Sequence, residues 1–185
     1  GKTRTEFWIN KIQTNKKNTG WTILVIWECK LKSGFEGCLS KLKSNLFELS
    51  YIYANQNKNQ TFIWRLHPLL SFKKIKKYSD ILKKLPDNIF LSESDLDEDV
   101  QKSDSVLYRG STAVVNAISA GLRPIYYQHS YDEPIMDPIY QQLKGKEIIF
   151  NQKDLGLALK RKVDSKIKQS LQNFAQDFYT RSEEH

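Results

Sequence analysis

Sulfur is scarce in this chain: 185 residues carry two cysteines, Cys29 and Cys38, and one methionine. Two cysteines cannot build the disulfide framework that staples small secreted domains, and their spacing matches no complete metal site. A reducing, cytoplasmic setting is the expectation, with peripheral attachment at the inner membrane face as a further option. Long apolar runs are lacking too. The most hydrophobic stretches, Thr22 to Trp27 and Glu147 to Phe150, fall far short of the roughly 20 residues that span a bilayer. There is no internal repeat and no low-complexity tract. The chain opens Gly1-Lys2-Thr3, without an initiator Met or the apolar stretch of a secretory signal, so a fragment or trimmed chain is expected.

What is present fits one soluble domain of ordinary size: 39% of the residues are hydrophobic, enough for a real core. The net charge of +8 would ordinarily point to nucleic acid, a phosphate-rich ligand or an anionic membrane. Its distribution weakens that inference. Residues 1 to 33 hold seven Lys or Arg against Glu6 and Glu28, which is +5 of the +8, so the remainder is close to balanced.

Two segments of different character meet near Leu31 to Gly37, where turn-prone glycines separate an apolar run from a helical pattern. Upstream, Phe7, Trp8 and Ile12 recur at helical spacing, and Trp21 to Trp27 is a β-branched and aromatic run. This predicts an N-terminal helix-strand appendage over 1–36 and a second unit over 37–185. Downstream, strands and helices alternate as a parallel α/β sheet requires. The predicted strands are Thr61 to Leu66, Ile89 to Leu91, Ser105 to Tyr108, Pro124 to Tyr127 and Glu147 to Phe150. Between and after them come helices over Leu39 to Asn55, Phe72 to Leu85, Asp95 to Ser103, Ala113 to Ala120, Asp154 to Val163 and Ser165 to Tyr179. The predicted fold class is therefore α/β, a Rossmann-like parallel sheet flanked by helices.

The most informative junction is Arg109-Gly110-Ser111-Thr112, which turns a strand into a small-residue helix. Backbone N–H groups, two hydroxyls and the positive end of a helix dipole meet there, the ingredients of a phosphate site. Arg109 can fork onto a diphosphate. The plainer alternative is that Ser111 or Thr112 simply caps the helix. Two more polar clusters fall at carboxyl ends of strands, where open parallel sheets bind ligands. In Arg65-Leu66-His67-Pro68, period-2 alternation puts Arg65 and His67 on one side. Around Tyr126-Tyr127-Gln128-His129 and the following Tyr131 to Pro138, aromatic faces suit a base, and Glu133 or Asp137 suits ribose hydroxyls. For each of these residues an ordinary half-buried or polar-loop role stands as the alternative.

Taken in order, Ile63 to Pro68, Asp104 to Thr112 and Ala117 to Tyr126 resemble the C-terminal, donor-binding half of GT-B bacterial surface-polysaccharide glycosyltransferases, over about residues 39 to 155. The His-Pro strand end followed by Gly-Ser-Thr is also similar to the paired His-Pro and Ser-Ser motifs of bacterial sialyltransferases and related capsule enzymes. The resemblance implies a nucleotide sugar as ligand, with no metal or other cofactor. It implies phosphate contacts from His67, Pro68, Gly110, Ser111 and Thr112, with Arg65 and Arg109 as added cations. Base and sugar contacts would fall to Asn116, Tyr127, Glu133 and Asp137. Many members of the family carry Glu, a stronger acceptor, where this chain has Asn116. An acceptor-binding domain would lie outside the chain, leaving it with little or no transfer activity alone.

Residues 3 to 32 resemble something else. Thr5-Glu6-Phe7-Trp8, Lys11-Ile12, Asn15 and Gly20 to Cys29 are similar to the C-terminal part of very short patch repair endonucleases, which cut DNA beside a T:G mismatch. In that family the Trp-Glu-Cys cysteine is a structural zinc ligand, which maps to Cys29. A closed zinc site needs four ligands, and the others fall upstream of Gly1, so Cys29 is expected to be an orphan. Residues 1 to 33 offer only Glu6 and Glu28 to a catalytic metal. Nucleic acid is a partner only under this alternative or under a third reading, a binding module that uses Lys73, Lys74, Lys76, Lys77, Lys83 and Lys84. That lysine run also reads as a solvated helix face.

Overall fold

The computed structural model describes residues 21–27, 46–66, 72–76, 83–132, 134–142 and 144–182. Among the described residues there are six strands and six helices, in the order β1 (Thr22–Trp27), α1 (Leu46–Gln56), β2 (Thr61–Arg65), α2 (Phe72–Ile75), β3 (Ile89–Leu91) and α3 (Leu96–Gln101), followed by β4 (Ser105–Arg109), α4 (Ala113–Ser119), β5 (Arg123–Tyr127), β6 (Glu147–Ile149), α5 (Gln152–Lys160) and α6 (Ser165–Ser182). Every strand pair is parallel, and the order across the sheet is β3-β2-β1-β4-β5-β6. The Rossmann-like α/β fold expected from the alternating pattern is therefore present.

The sheet is buried on both faces, which is why its strands read as near-continuous apolar runs. On one face Ile23, Val25, Phe62, Trp64, Leu107 and Ile125 pack with Phe47, Leu49 and Tyr53 of α1 and Leu155, Ala158 and Leu159 of α5. On the other, Leu24, Ile26, Ile63, Val106, Tyr108 and Tyr126 pack with α4 and with Val100, Leu171 and Ala175. Several polar groups caught inside are paired, whereas Gln60 Oε1, Asn88 Oδ1 and Arg123 Nε are buried without a hydrogen-bond partner among the described residues. The Trp64 indole donates to the Ser50 hydroxyl at 3.0 Å. Buried Asn88 donates through Nδ2 to the carbonyls of Ala54, Asn57 and Gln60, tying the end of α1 to β3.

The strand assigned to an N-terminal appendage lies at the centre of this sheet. β1 is registered against β2 from Thr22↔Thr61 to Ile26↔Arg65 and against β4 from Ile23↔Ser105 to Trp27↔Arg109. Its start is further fixed by the Thr22 N–H on Asp104 Oδ2 at 2.8 Å. The sheet thus draws on both sides of the 36/37 division. Five apolar or β-branched residues, buried from both sides, explain the insertion: at an edge they would expose a long hydrophobic ladder. Residues 1–20 and Cys29, which carry most of the endonuclease resemblance, lie outside the described residues.

Candidate functional site

Strand succession reverses between β1 and β4: from β1 the chain builds outward to β3, then returns to start β4 on the other side. Connections leave in opposite directions at that point and open a crevice beyond the carboxyl ends of the two strands, where open α/β sheets take their ligands. The residues at that edge are Arg109, which ends β4, with Gly110, Ser111 and Thr112 after it, and Tyr127, which ends β5, with Gln128 to Ser130 after it.

The β4 turn has a defined geometry. Gly110 sits at φ 72°, a left-handed conformation that disfavours any side chain with a Cβ. Its N–H donates to the Met136 carbonyl at 2.8 Å. Ser111 is buried, and its hydroxyl accepts the Ala113 N–H at 3.3 Å. Ser111, one residue before the N-cap Thr112, thus holds the first N–H of α4. Thr112, by contrast, makes no side-chain capping bond and is exposed. Asn116 is also exposed, and four residues on it shares the outer face of α4 with Thr112. α4 spans seven residues, Ala113–Ser119, so its dipole is small. The weight of any anion contact falls on side chains and backbone N–H groups.

Arg109 and Arg65 do not form one cluster. β1 lies between their strands, a separation of roughly 10 Å at the usual strand spacing. Parity also divides them: Arg109 follows Leu107 onto the α1/α5 face, whereas Arg65 follows Ile63 onto the α4/α6 face. The Arg109 guanidinium donates to the Tyr127 carbonyl at 3.4 Å. Arg65 turns to the buried carboxylate of Asp99, at 2.9 Å, and to the Ser94 carbonyl, at 2.8 Å. Burial raises the Asp99 pKa above its ordinary value, against the lowering by the Ser92 hydroxyl and Arg65. Contrary to expectation, Arg65 therefore does not stand beside Arg109 at a phosphate but pairs with Asp99, whose charge Lys102 also offsets.

Two proposed base or ribose contacts are also placed elsewhere. Asp137 is 6% exposed. Its Oδ1 accepts from the Tyr108 hydroxyl at 2.8 Å and the Ile139 N–H at 3.0 Å, and Oδ2 pairs with buried Lys146. Burial together with the negative Asp137 pushes the Tyr108 phenol far up, so that it stays protonated and donating. Asp137 thus anchors the loop instead of offering its oxygens to a ribose. Tyr127 is buried in the α1/α5 core with its hydroxyl 3.0 Å from His129 Nδ1, so its ring is not offered for stacking. His67, Pro68 and Glu133 lie outside the described residues. The sequence reading missed the loop anchor, although a tyrosine at a core position of β4 is a signal, since its hydroxyl needs a buried partner.

Among the described residues no group of three or more His, Cys, Asp or Glu side chains forms a candidate metal site. No helix among them is long and apolar enough to cross a membrane.

No protein-family model and no curated protein sequence matches the chain. Solved structures do. The glycosyltransferase SnogD from Streptomyces nogalater is similar at 16% identity and TM-score 0.52, over 85% of this chain and 39% of that one. A protein from Listeria monocytogenes assigned as a UDP-N-acetylglucosamine 2-epimerase is similar at 16% identity and TM-score 0.56, over 90% of this chain and 42% of that one. S. aureus MnaA, in a co-structure with UDP, is similar at 16% identity and TM-score 0.54, over 93% of this chain and 42% of that one. The chain spans about two-fifths of their lengths. The likeness is one of fold, a Rossmann-like parallel sheet flanked by helices.

Proposed function

We propose that this chain is the donor-binding half of a glycosyltransferase for cell-surface polysaccharide synthesis. In this reading it holds a nucleotide sugar, and the acceptor-binding domain lies outside these residues. The observation that carries the reading is the position of the Arg109-Gly110-Ser111-Thr112 turn, at the crevice where strand succession reverses and next to the exposed Thr112–Asn116 face. The fold shared with SnogD and with MnaA, the latter in a UDP co-structure, supports it.

Each residue then has a narrower role than the sequence motif suggested. Arg109 supplies the cation and Thr112 the hydroxyl for the donor diphosphate, while Ser111 holds the turn in shape. Asn116 is placed to hydrogen-bond a ribose hydroxyl as a neutral amide. In the complete enzyme, Arg109 and the turn would stabilise charge developing on the leaving nucleotide phosphate. The chain alone binds donor and transfers little.

Calorimetric titration with UDP, GDP, CDP and CMP tests this. At least one is expected to bind, and Arg109→Ala to weaken it by roughly 10- to 100-fold, the effect of a charge-assisted hydrogen bond of ~1.5–3 kcal/mol. Thr112→Ala, at an exposed position, is expected to weaken binding while leaving stability unchanged. Absence of binding to every nucleotide, or binding insensitive to both substitutions, overturns the proposal.

A further inference from the structure

Beyond the carboxyl ends of β5 and β6 two aromatic rings pack against each other, tilted, outside the core. Tyr131 is 87% exposed and lies on Phe150 with ring centroids 4.5 Å apart and an interplanar angle of 30°. Phe150 is held from below, its N–H donating to Asp154 Oδ2 at 3.0 Å. The turn that presents Tyr131 is tied at its start by Gln128 Nε2 on the Ser130 carbonyl at 2.7 Å. Further along, the same loop returns to the β4 turn, where the Met136 carbonyl accepts the Gly110 N–H and the Met136 N–H donates to the Tyr126 hydroxyl. One loop therefore links the aromatic pair to the proposed phosphate turn. β4 and β6 are two strand spacings apart, roughly 10 Å, a distance that a phosphate and one sugar ring can bridge.

We infer that the Tyr131–Phe150 pair is the platform on which the sugar ring of the bound nucleotide sugar stacks, an inference that rests on the nucleotide-sugar reading above. A pyranose has an apolar C–H face and a rim of hydroxyls. The outer Tyr131 face meets the first requirement. Exposed Asp132 and His129, on either side of Tyr131 in the chain, meet the second, Asp132 as an acceptor and His129 through Nε2, which donates or accepts according to the ring's tautomer. His129 Nδ1 is oriented by the Tyr127 hydroxyl at 3.0 Å, which fixes the ring. A base stacked on the same ring would be felt by the bare nucleotide as much as by its sugar conjugate, so comparing the two separates base from sugar. The platform recognises the hexose; the turn recognises the diphosphate.

The test compares each nucleotide with its sugar conjugate on wild type, Tyr131→Ala and Tyr131→Phe: UDP with UDP-N-acetylglucosamine and UDP-glucose, GDP with GDP-mannose, CMP with CMP-sialic acid. For the nucleotide that binds, Tyr131→Ala is expected to raise the Kd of the sugar conjugate by roughly threefold to tenfold, as for loss of one aromatic contact. The Kd of the bare nucleotide is expected to stay put, and Tyr131→Phe to retain both. Equal weakening of nucleotide and conjugate would assign the ring to the nucleotide and overturn the platform. An unchanged conjugate Kd overturns it as well. Either result leaves the nucleotide reading standing, since wild-type binding of the bare nucleotide tests that reading separately; if wild type binds none of these ligands, both fall.

Discussion

Asp137→Ala separates an anchor from a ligand contact. In the folded chain the Asp137 and Lys146 side chains are 2% and 1% exposed and form an ion pair. The carboxylate also accepts from the Tyr108 hydroxyl and the Ile139 N–H, and Lys146 Nζ donates a second bond to the Ile139 carbonyl. Truncating Asp137 leaves an ammonium buried without its counter-charge, which costs ~3–5 kcal/mol. It also strips the Tyr108 hydroxyl of its partner, a cost of ~1–3 kcal/mol that overlaps the first because both groups share one carboxylate. A total of ~3–5 kcal/mol follows, and in a chain of this length that lowers Tm by roughly 10 °C. Urea and thermal melts followed by circular dichroism measure it. Lys146→Met alone should cost a similar amount. Asp137→Asn combined with Lys146→Met should recover most of the loss, because no charge is then left unpaired. A cost below ~1 kcal/mol for Asp137→Ala, accompanied by weaker nucleotide binding, would refute the anchor and restore Asp137 as a ribose contact.

Other consequences are smaller but equally direct. Ser111→Ala is expected to destabilise by ~1 kcal/mol through loss of the bond to the Ala113 N–H, whereas Thr112→Ala stays within ~0.5 kcal/mol; paired urea melts that reversed this order would contradict the structural role of the Ser111 hydroxyl. Asp99 has its pKa raised by burial, so the folded state holds that proton more tightly than the unfolded chain. Its contribution to stability therefore grows as pH falls through the raised folded pKa towards the ordinary value of 3.8, and is lost as pH rises. Against Asp99→Asn, the wild type should gain stability between neutral pH and about 4.5; urea melts at the two pH values giving the opposite sign would count against a burial-raised Asp99.

How much of this was legible before the fold was known depends on the range over which each feature is determined. The β4–Gly110–α4 junction is local, and the sequence pattern placed strand, turn and helix to within a residue or two. The left-handed Gly110 and the choice of Ser111 over Thr112 for the bond to Ala113 were not read from those residues. Strand order is not local. Nothing between Thr22 and Trp27 says that this run lies between β2 and β4, and its likeness to an unrelated family pointed to a separate appendage. The misplacement of Arg65 follows from that: with β1 left out, Arg65 and Arg109 look like neighbours at adjacent strand ends on one side. Asp137 and Tyr127 were misjudged for a different reason. Both sit in or beside a polar-looking loop, and polar residues there read as solvent-facing. The buried phenols of Tyr108 and Tyr126 pull that loop inward to satisfy their hydroxyls, a demand visible only when side-chain parity and partners are both known.

Amide chemical-shift mapping during a nucleotide titration tests most directly whether the edge beyond β4 and β5 binds a nucleotide. With the diphosphate that binds best, the largest shifts are expected at the amides of Gly110 to Asn116, smaller ones along His129 to Met136, and none at the opposite end of the sheet around Arg123 and Arg161. Shifts centred on that opposite end, or on the lysines of α2, would contradict binding at the edge beyond β4 and β5.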